Sequence, residues 1–136
     1  MTVQELQRRT RKFSLDTILL FKRFPKTIEG QIIGKQLLRS ATSVAANYHA
    51  ACRGRSPSEF IAKLSIVVEE ADESLMWLEM VEEAKIYQSE ELTRLKQEAR
   101  ELLYIFSASR KSARHNLETK LKSRTGIQST DQQIIQ

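Results

Sequence analysis

The chain has 136 residues, the length of one domain, and its 4 glycines and 2 prolines leave few turns for a many-stranded sheet. Hydrophobic residues make up 40% and charged residues 29%, which is typical of a globular helical protein, and no apolar stretch approaches the roughly 18 residues of a membrane span. The net charge is +5. The single cysteine, Cys52, excludes an internal disulfide, so we expect a protein of the reducing cytoplasm. The polar, basic N-terminus is untypical of a secretory signal.

Four helical segments follow one another along the chain. The first is predicted from Val3 to Arg23 and ends before Pro25, because a proline pushes the preceding residue out of the helical region. The second is predicted from Thr27 to Ala51. Gly30 and Gly34 lie inside its apolar pattern, where a close helix contact would account for them.

The third segment begins after a loop with clear signals. Gly54 suits a helix C-terminus, and Ser56 with Glu59 has the spacing of a capping box. Pro57 then fits the first helical position, and the helix is predicted to run to Ile86.

The fourth segment begins after Ser89, a predicted N-cap, and is predicted to end near His115. Residues 119–136 are polar and rich in glutamine, which predicts a disordered tail. We therefore predict an all-α fold, an antiparallel up-down-up-down four-helix bundle over residues 1–118.

Charge is distributed unevenly along this predicted bundle. Residues 1–26 carry a net charge of +5, residues 27–56 carry +3 and residues 107–136 carry +4, whereas residues 57–106 carry −7. Such polarity indicates partners and association rather than a fold.

An acidic run of seven carboxylates lies on the third predicted helix: Glu69, Glu70, Asp72, Glu73, Glu79, Glu82 and Glu83. Pairs of them have the spacing of a di-metal centre in a bundle, but such centres recruit a Glu-x-x-His motif, and neither His49 nor His115 lies in one. We favour a solvated or intersubunit acidic face.

A polar row lies on one face of the second predicted helix. Its members are Gln36, Ser40, Ser43 and Asn47. Such a row either lines a ligand groove or forms a hydrogen-bonded seam against another helix or subunit. We favour the seam and predict these four residues at an oligomer interface.

Basic residues form a further pattern. Arg53 and Arg55 flank Gly54 and either contact phosphate or pair with the acidic helix, and both interpretations stay open. Two basic clusters lie near the chain ends, which an antiparallel bundle brings to one pole. The clusters consist of Arg8, Arg9, Arg11, Lys12, Arg110, Lys111 and Arg114. They predict a salt-sensitive footprint for nucleic-acid phosphates, the alternative being a merely solubilising basic end.

No pattern of catalytic residues accompanies these features. His49 lies three residues before Cys52, but neither residue belongs to a nucleophile motif, and a phosphate-binding glycine loop is missing from the sequence. We predict a protein that is not an enzyme and uses no cofactor or metal.

A series of short motifs runs through residues 13–110. The series comprises Phe24-Pro25, Glu29-Gly30, Gln36-Leu37-Leu38-Arg39-Ser40-Ala41, Ser43-Val44, Asn47, Arg53-Gly54-Arg55-Ser56, Glu59-Phe60, Glu70-Ala71-Asp72-Glu73-Ser74 and Trp77-Leu78-Glu79. In order and spacing it resembles a bacterial family of four-helix-bundle proteins first noticed as reading frames in intervening sequences of 23S ribosomal RNA genes. The chain departs from that pattern at Gln31, Ala46, Tyr48 and His49-Ala50-Ala51.

The resemblance implies a cytoplasmic bundle that assembles as a ring-like homopentamer. We expect no membrane partner, since no apolar stretch is long enough to span a bilayer. Proteins of similar fold are accessory factors of diversity-generating retroelements, in which a basic pentamer binds nucleic acid and a reverse transcriptase. Our leading hypothesis is therefore an oligomeric protein that binds RNA or DNA phosphates or acts as a scaffold. The second hypothesis is a protein-interaction module, such as an accessory subunit of a polymerase, that does not touch nucleic acid.

Overall fold

The computed structural model describes residues 1–125, and this part of the chain forms four α-helices and no strand. The helices are α1 (Val3–Phe21), α2 (Ile28–Cys52), α3 (Pro57–Glu83) and α4 (Glu90–Arg124). None of these helices is long and apolar enough to cross a membrane. The predicted all-α class is confirmed.

Each helix packs antiparallel against the one before it, and α4 also packs against α1. Between α1 and α2, the Ser14 hydroxyl donates a hydrogen bond to the Ala41 carbonyl oxygen at 2.8 Å. Across the bundle, the rings of Tyr48 on α2 and Phe106 on α4 lie 4.9 Å apart. These contacts confirm the up-down-up-down four-helix bundle.

The core is built from the apolar positions whose helical spacing is visible in the sequence. Phe13, Leu37, Leu64 and Leu102, one from each helix, are at most 1% exposed. Burying such side chains stabilises the fold by about 1.5–3 kcal/mol each, so the shared apolar stripe fixes which faces of the helices meet.

Two helices end earlier than predicted. The first helix ends at Phe21 rather than Arg23, and the third at Glu83 rather than Ile86. After α3, the Lys85 backbone has a φ of 56°, and the Ile86 N–H donates to the Val81 carbonyl oxygen at 2.9 Å. The left-handed Lys85 and the hydrogen bond of Ile86 end the helix, so Ile86 packs on the core instead of extending α3.

The fourth helix continues to Arg124, nine residues past its predicted end at His115. Residues 119–124, predicted to be disordered, are therefore helical. Lys, Leu and Arg are strong helix formers, and Leu117 and Leu121 extend the apolar spacing of the helix. Residues 126–136, the rest of the predicted tail, lie outside the described residues.

Two glycines permit close approaches of the backbone. A Cβ at Gly34 would overlap the ring of Phe21 on α1, which confirms a close helix contact there. Gly54 was predicted as a C-cap, but the cap residue is Arg53, and no described glycine has a positive φ. A Cβ at Gly54 would lie 3.2 Å from the Phe60 nitrogen, so small size is what this position requires.

The predicted caps of α3 and α4 are confirmed. The Ser56 and Ser89 hydroxyls accept hydrogen bonds from the Glu59 and Leu92 N–H groups, each at 3.1 Å. In a complete capping box the Glu59 carboxylate would accept a hydrogen bond from the Ser56 N–H. Here it accepts one from the N–H of the preceding residue, Arg55. This bond ties the α2–α3 loop to the start of α3.

Candidate nucleic-acid interface

The antiparallel topology gathers the predicted cations at one end of the bundle. The start of α1, the end of α2, the start of α3 and the later part of α4 all lie there. We call this end the basic pole, and it holds Arg8, Arg9, Arg11, Lys12, Arg53, Arg55, Arg110, Lys111 and Arg114. The opposite end, with the α1–α2 and α3–α4 turns, is called the closed pole.

Arg9 is used inside the bundle. Its guanidinium donates two hydrogen bonds to the Glu98 carboxylate on α4, at 2.8 and 2.6 Å, and lies 3.5 Å from Glu101. The hydrogen bond to Glu98 raises the pKa of Arg9 above its ordinary value. Arg9 therefore joins α1 to α4, and it is removed from the candidate phosphate ligands.

Lys12 is partly engaged as well. Its ammonium lies 2.8 Å from Asp16, which also accepts a hydrogen bond from Arg94 on α4 at 2.8 Å. Burial would raise the pKa of Asp16, but the hydrogen bonds from Lys12 and Arg94 outweigh it and hold that pKa below its ordinary value. Because the Lys12 side chain is 68% exposed, it keeps donors for a ligand.

Seven cations of the basic pole have no carboxylate within ion-pairing distance among residues 1–125. They are Arg8, Arg11, Arg53, Arg55, Arg110, Lys111 and Arg114. All but Arg110, which is half-buried, are exposed. The basic pole therefore presents positive charge that the fold does not use for its own packing.

Arg8 and Arg11 line a groove of about 500 Å³ between α1 and α2. Gln4, Gln7 and His49 are polar residues of the same groove, and Ala45 and Ala46 lie along its α2 side. The small alanines leave room between the helices, and guanidinium and amide groups are part of the lining. This combination suits phosphate oxygens, which accept several hydrogen bonds at once.

A second cationic surface lies on α4. Arg110, Lys111 and Arg114 line a concavity of about 470 Å³ with His115, and Glu118 is its one carboxylate. The helical extension past His115 adds three further exposed cations, which lie in the segment predicted as a disordered tail and were not among the predicted site residues. These cations are Lys120, Lys122 and Arg124.

The loop arginines do not pair with the acidic helix. That role belongs to Arg39 on α2, which lies 3.3 Å from Glu70 and also contacts Glu73 on α3. The hydrogen bond from Arg39 holds the pKa of Glu73 below its ordinary value. Arg53 and Arg55 are exposed, and neither makes an ion pair within residues 1–125. The predicted pairing of Arg53 and Arg55 with the acidic helix is therefore wrong within the described residues, and phosphate contact stays a prediction.

The acidic run of α3 is a partly paired helix face. Besides Arg39, the Trp77 indole N–H donates to Glu73 at 3.1 Å, and Lys96 on α4 lies 2.9 Å from Glu82. Within residues 1–125, no three His, Cys, Asp or Glu side chains lie close enough together to hold a metal ion.

The four residues of the polar row on α2 differ in burial. Ser40 was predicted at an oligomer interface, but its side chain is fully buried and accepts a hydrogen bond from the Ser74 hydroxyl of α3 at 2.9 Å. Ser40 is therefore a contact inside the bundle. Gln36 is exposed, and Ser43 and Asn47 are half-buried, so their place at an interface stays a prediction.

Comparisons with known proteins identify the family and agree with the four-helix fold. The sequence model of the family described as 23S rRNA-intervening sequence protein matches residues 4–108. The chain is also similar to a crystal structure from Bacteroides thetaiotaomicron VPI-5482, described as a protein with unknown function from the S23 ribosomal protein family. The two share 26% identity with a TM-score of 0.72, over 82% of this chain and 99% of that chain. No curated protein is a significant match.

Proposed function

The chain belongs to the 23S rRNA-intervening sequence protein family, and from that premise we propose that it binds nucleic acid by contacting phosphates through its basic pole. The observation that carries the proposal is the set of seven cations there without ion pairs in the described chain. Arg9, Arg39 and Arg94 form ion pairs within the fold, whereas these seven cations do not and are therefore available to a partner.

Phosphate contact accounts for the type and placement of these residues. Six of the seven are arginines, and a guanidinium binds phosphate through two parallel hydrogen bonds. The cations come from α1, the α2–α3 loop and α4, so they spread over a surface rather than forming one small pocket. A spread of cations suits a nucleic-acid backbone, whose charges repeat along its length.

We expect the protein to bind nucleic acid without catalysing a reaction on it. No base-reading motif accompanies the cations, so we expect the protein to recognise backbone and shape rather than sequence. Structured RNA is the first probe and duplex DNA the second, because both present a repeating phosphate backbone.

We also propose that the protein acts as a cytoplasmic homo-oligomer. Two pairs of exposed apolar side chains support this, namely Leu15 with Leu19 on α1 and Ile28 with Ile32 on α2. Each pair is four residues apart and so shares one face of its helix. Light scattering should show an assembly, and Leu19→Lys with Ile32→Lys should reduce its mass; a monomeric wild-type chain would overturn this part.

The basic-pole proposal is tested by exchanging charge at matched positions. The pole variant replaces Arg8, Arg11, Arg110, Lys111 and Arg114 by Gln. The control variant replaces five exposed cations elsewhere, Lys22, Arg23, Lys26, Lys35 and Lys85, by Gln. Both lose five positive charges, so a difference between them reports position rather than net charge.

We expect the pole variant to bind structured RNA at least about a hundredfold more weakly than the wild type, since each lost phosphate contact removes counterion release. The control variant should bind within a few-fold of the wild type. Equal losses in the two variants, or wild-type binding retained by the pole variant, would overturn the proposal. Wild-type protein that binds no nucleic acid would favour the protein-interaction module instead.

A further inference from the structure

A third groove, of about 490 Å³, lies where the α2–α3 loop meets the later part of α4. Its apolar lining comes from Pro57 and Phe60 on α3 and from Ala113 and Leu117 on α4. Phe60 is partly buried against the core, so the exposed part of its ring is held in a fixed position. The family match ends at residue 108, so the α4 side of this groove lies beyond the matched part of the chain.

The polar lining of the groove is cationic or neutral. Arg55 lies on the loop side, Lys120 on the α4 side, and the Asn116 amide lies one helical turn before Lys120. The nearby carboxylate of Glu59 accepts a hydrogen bond from the Arg55 backbone N–H at 2.6 Å, and it makes no ion pair with the Arg55 side chain. No carboxylate lines the groove, so its field favours an anion.

This combination differs from the other two cationic surfaces. Apart from the imidazoles of His49 and His115, the α1–α2 groove and the α4 concavity offer donors but no aromatic ring, and neither has a large aliphatic side chain. Here an aromatic ring and a leucine lie between two cations. A nucleotide has the matching parts, because its base has an apolar face and its phosphates carry the charge.

We propose that this groove takes an unpaired nucleotide of a single-stranded segment, with the base against Phe60 and Leu117 and the flanking phosphates on Arg55 and Lys120. The inference rests on the proposed function and narrows it to nucleic acid with an exposed base. In a duplex the base faces are stacked inside the helix, so they are not free to contact Phe60. The Asn116 amide has both a donor and an acceptor for a base edge.

The test compares single-stranded and duplex RNA on one protein. The probes are an oligouridylate of about twelve nucleotides and a duplex of the same length, with affinities from fluorescence anisotropy. The variant is Phe60→Leu, which keeps an apolar side chain but removes the aromatic face. Tyr104→Leu is the matched control, because Tyr104 is an aromatic of α4 that is 77% exposed and lies outside this groove.

We expect Phe60→Leu to weaken oligouridylate binding about tenfold and to leave duplex binding within about twofold, since stacking acts only on unpaired bases. Tyr104→Leu should change neither. Ultraviolet crosslinking of a thiouridine oligomer to the wild-type protein should also label the peptide that contains Phe60 or residues 113–120. This second readout does not depend on the stability of a variant.

The outcomes separate the two proposals. If the wild type binds both probes and Phe60→Leu leaves their ratio unchanged, with crosslinks elsewhere, the groove assignment is wrong while the basic pole stands. If Phe60→Leu weakens both probes equally, the groove is a structural element and the inference is also overturned. If the wild type binds neither probe at low salt, the proposed function itself fails and the groove assignment falls with it.

Discussion

The two ends of the bundle are closed in different ways. At the closed pole, Phe24 packs between Phe21 and Tyr87, with ring centroids 5.7 and 5.8 Å apart, and Gly34 lets the Phe21 ring approach α2. At the basic pole, Tyr48 and Phe106 end the aromatic core and exposed cations continue beyond it. Both ends carry exposed cations without ion pairs in the described part of the chain. At the closed pole, however, aromatic rings pack across the turns, whereas at the basic pole the cations line grooves between the helices.

The ion pairs follow the same division. Toward the closed pole, Lys96 pairs with Glu82, and Arg94 pairs with Asp16 and Glu91. Among the basic-pole arginines, all of which lie in the described residues, Arg9 alone holds an ion pair. Arginines with a carboxylate partner therefore stabilise the fold, whereas arginines without one are available to a ligand. Substitutions at the closed pole should change stability alone, and most substitutions at the basic pole should change binding alone.

The largest effect on stability is expected from Gly34→Ala at the closed pole. The added methyl group overlaps the Phe21 ring, so α1 and α2 must separate, and we expect a loss of about 2 kcal/mol in the free energy of unfolding. Denaturant unfolding measures this loss. In a Phe21→Ala background the same change should be neutral or stabilising, because Ala is the better helix former once the ring is gone. An equal loss in both backgrounds would refute the contact.

Next is a pair of adjacent arginines at the basic pole. Arg9→Gln removes the bidentate bond to Glu98 and should lower the free energy of unfolding by about 1 kcal/mol while leaving RNA affinity within a few-fold. Arg8→Gln should do the reverse, with unchanged stability and a measurable loss of affinity. Thermal unfolding and anisotropy on both variants check this. Identical profiles for the two variants would show that the basic pole does not divide into structural and binding cations.

Lys85→Gly should stabilise the closed pole. Lys85 holds a φ of 56°, a left-handed conformation that costs an L-residue energy but suits glycine. The relief exceeds the added freedom of the unfolded chain, so we expect a gain of about 0.5–1 kcal/mol. The denaturant midpoint should rise, with RNA binding unchanged. A lowered midpoint would contradict the left-handed cap.

The smallest effect is the pH dependence of Asp16, between the two poles. Its pKa is lowered in the folded state, so its contribution to stability is present above the unfolded-state pKa and is lost as the pH falls through the folded-state pKa. Asp16→Asn should cost about 0.5 kcal/mol at neutral pH. That difference should vanish below the folded-state pKa, where the wild-type carboxyl is protonated. Unfolding curves across the acidic range check it, and a pH-independent difference would contradict the ion pairs.

Patterns within the sequence predict most of the fold. The apolar spacing identifies four helices and their buried faces, and serines at 56 and 89 mark two starts because capping is a local interaction. The cap of α1 was missed, although Thr2 and Glu5 form a complete capping box with the expected spacing. The end of α4 was also missed, because its polar composition outweighed the spacing of Leu117 and Leu121.

The candidate site is predictable only in part. Antiparallel topology brings the basic clusters to one pole, so their meeting follows from the helix count. Which cation pairs with which carboxylate does not follow, since Arg9 and Glu98 are distant in sequence and meet through the packing of α1 on α4. For Ser40 the sequence likewise leaves two partners open, another helix or another subunit, and the packing of α3 on α2 supplies Ser74. The groove at Phe60 depends on the length of α4, which the sequence analysis placed too short.

The central claim is that the unpaired cations of the basic pole bind phosphates, and the salt dependence of RNA binding tests it most directly. Affinity of the wild-type protein for structured RNA should fall by orders of magnitude between about 50 and about 200 mM salt, because several phosphate contacts release counterions. The five-residue pole variant should show a much shallower slope, and the control variant the wild-type slope. Affinity that does not change with salt, or the same steep slope in all three proteins, would contradict the account.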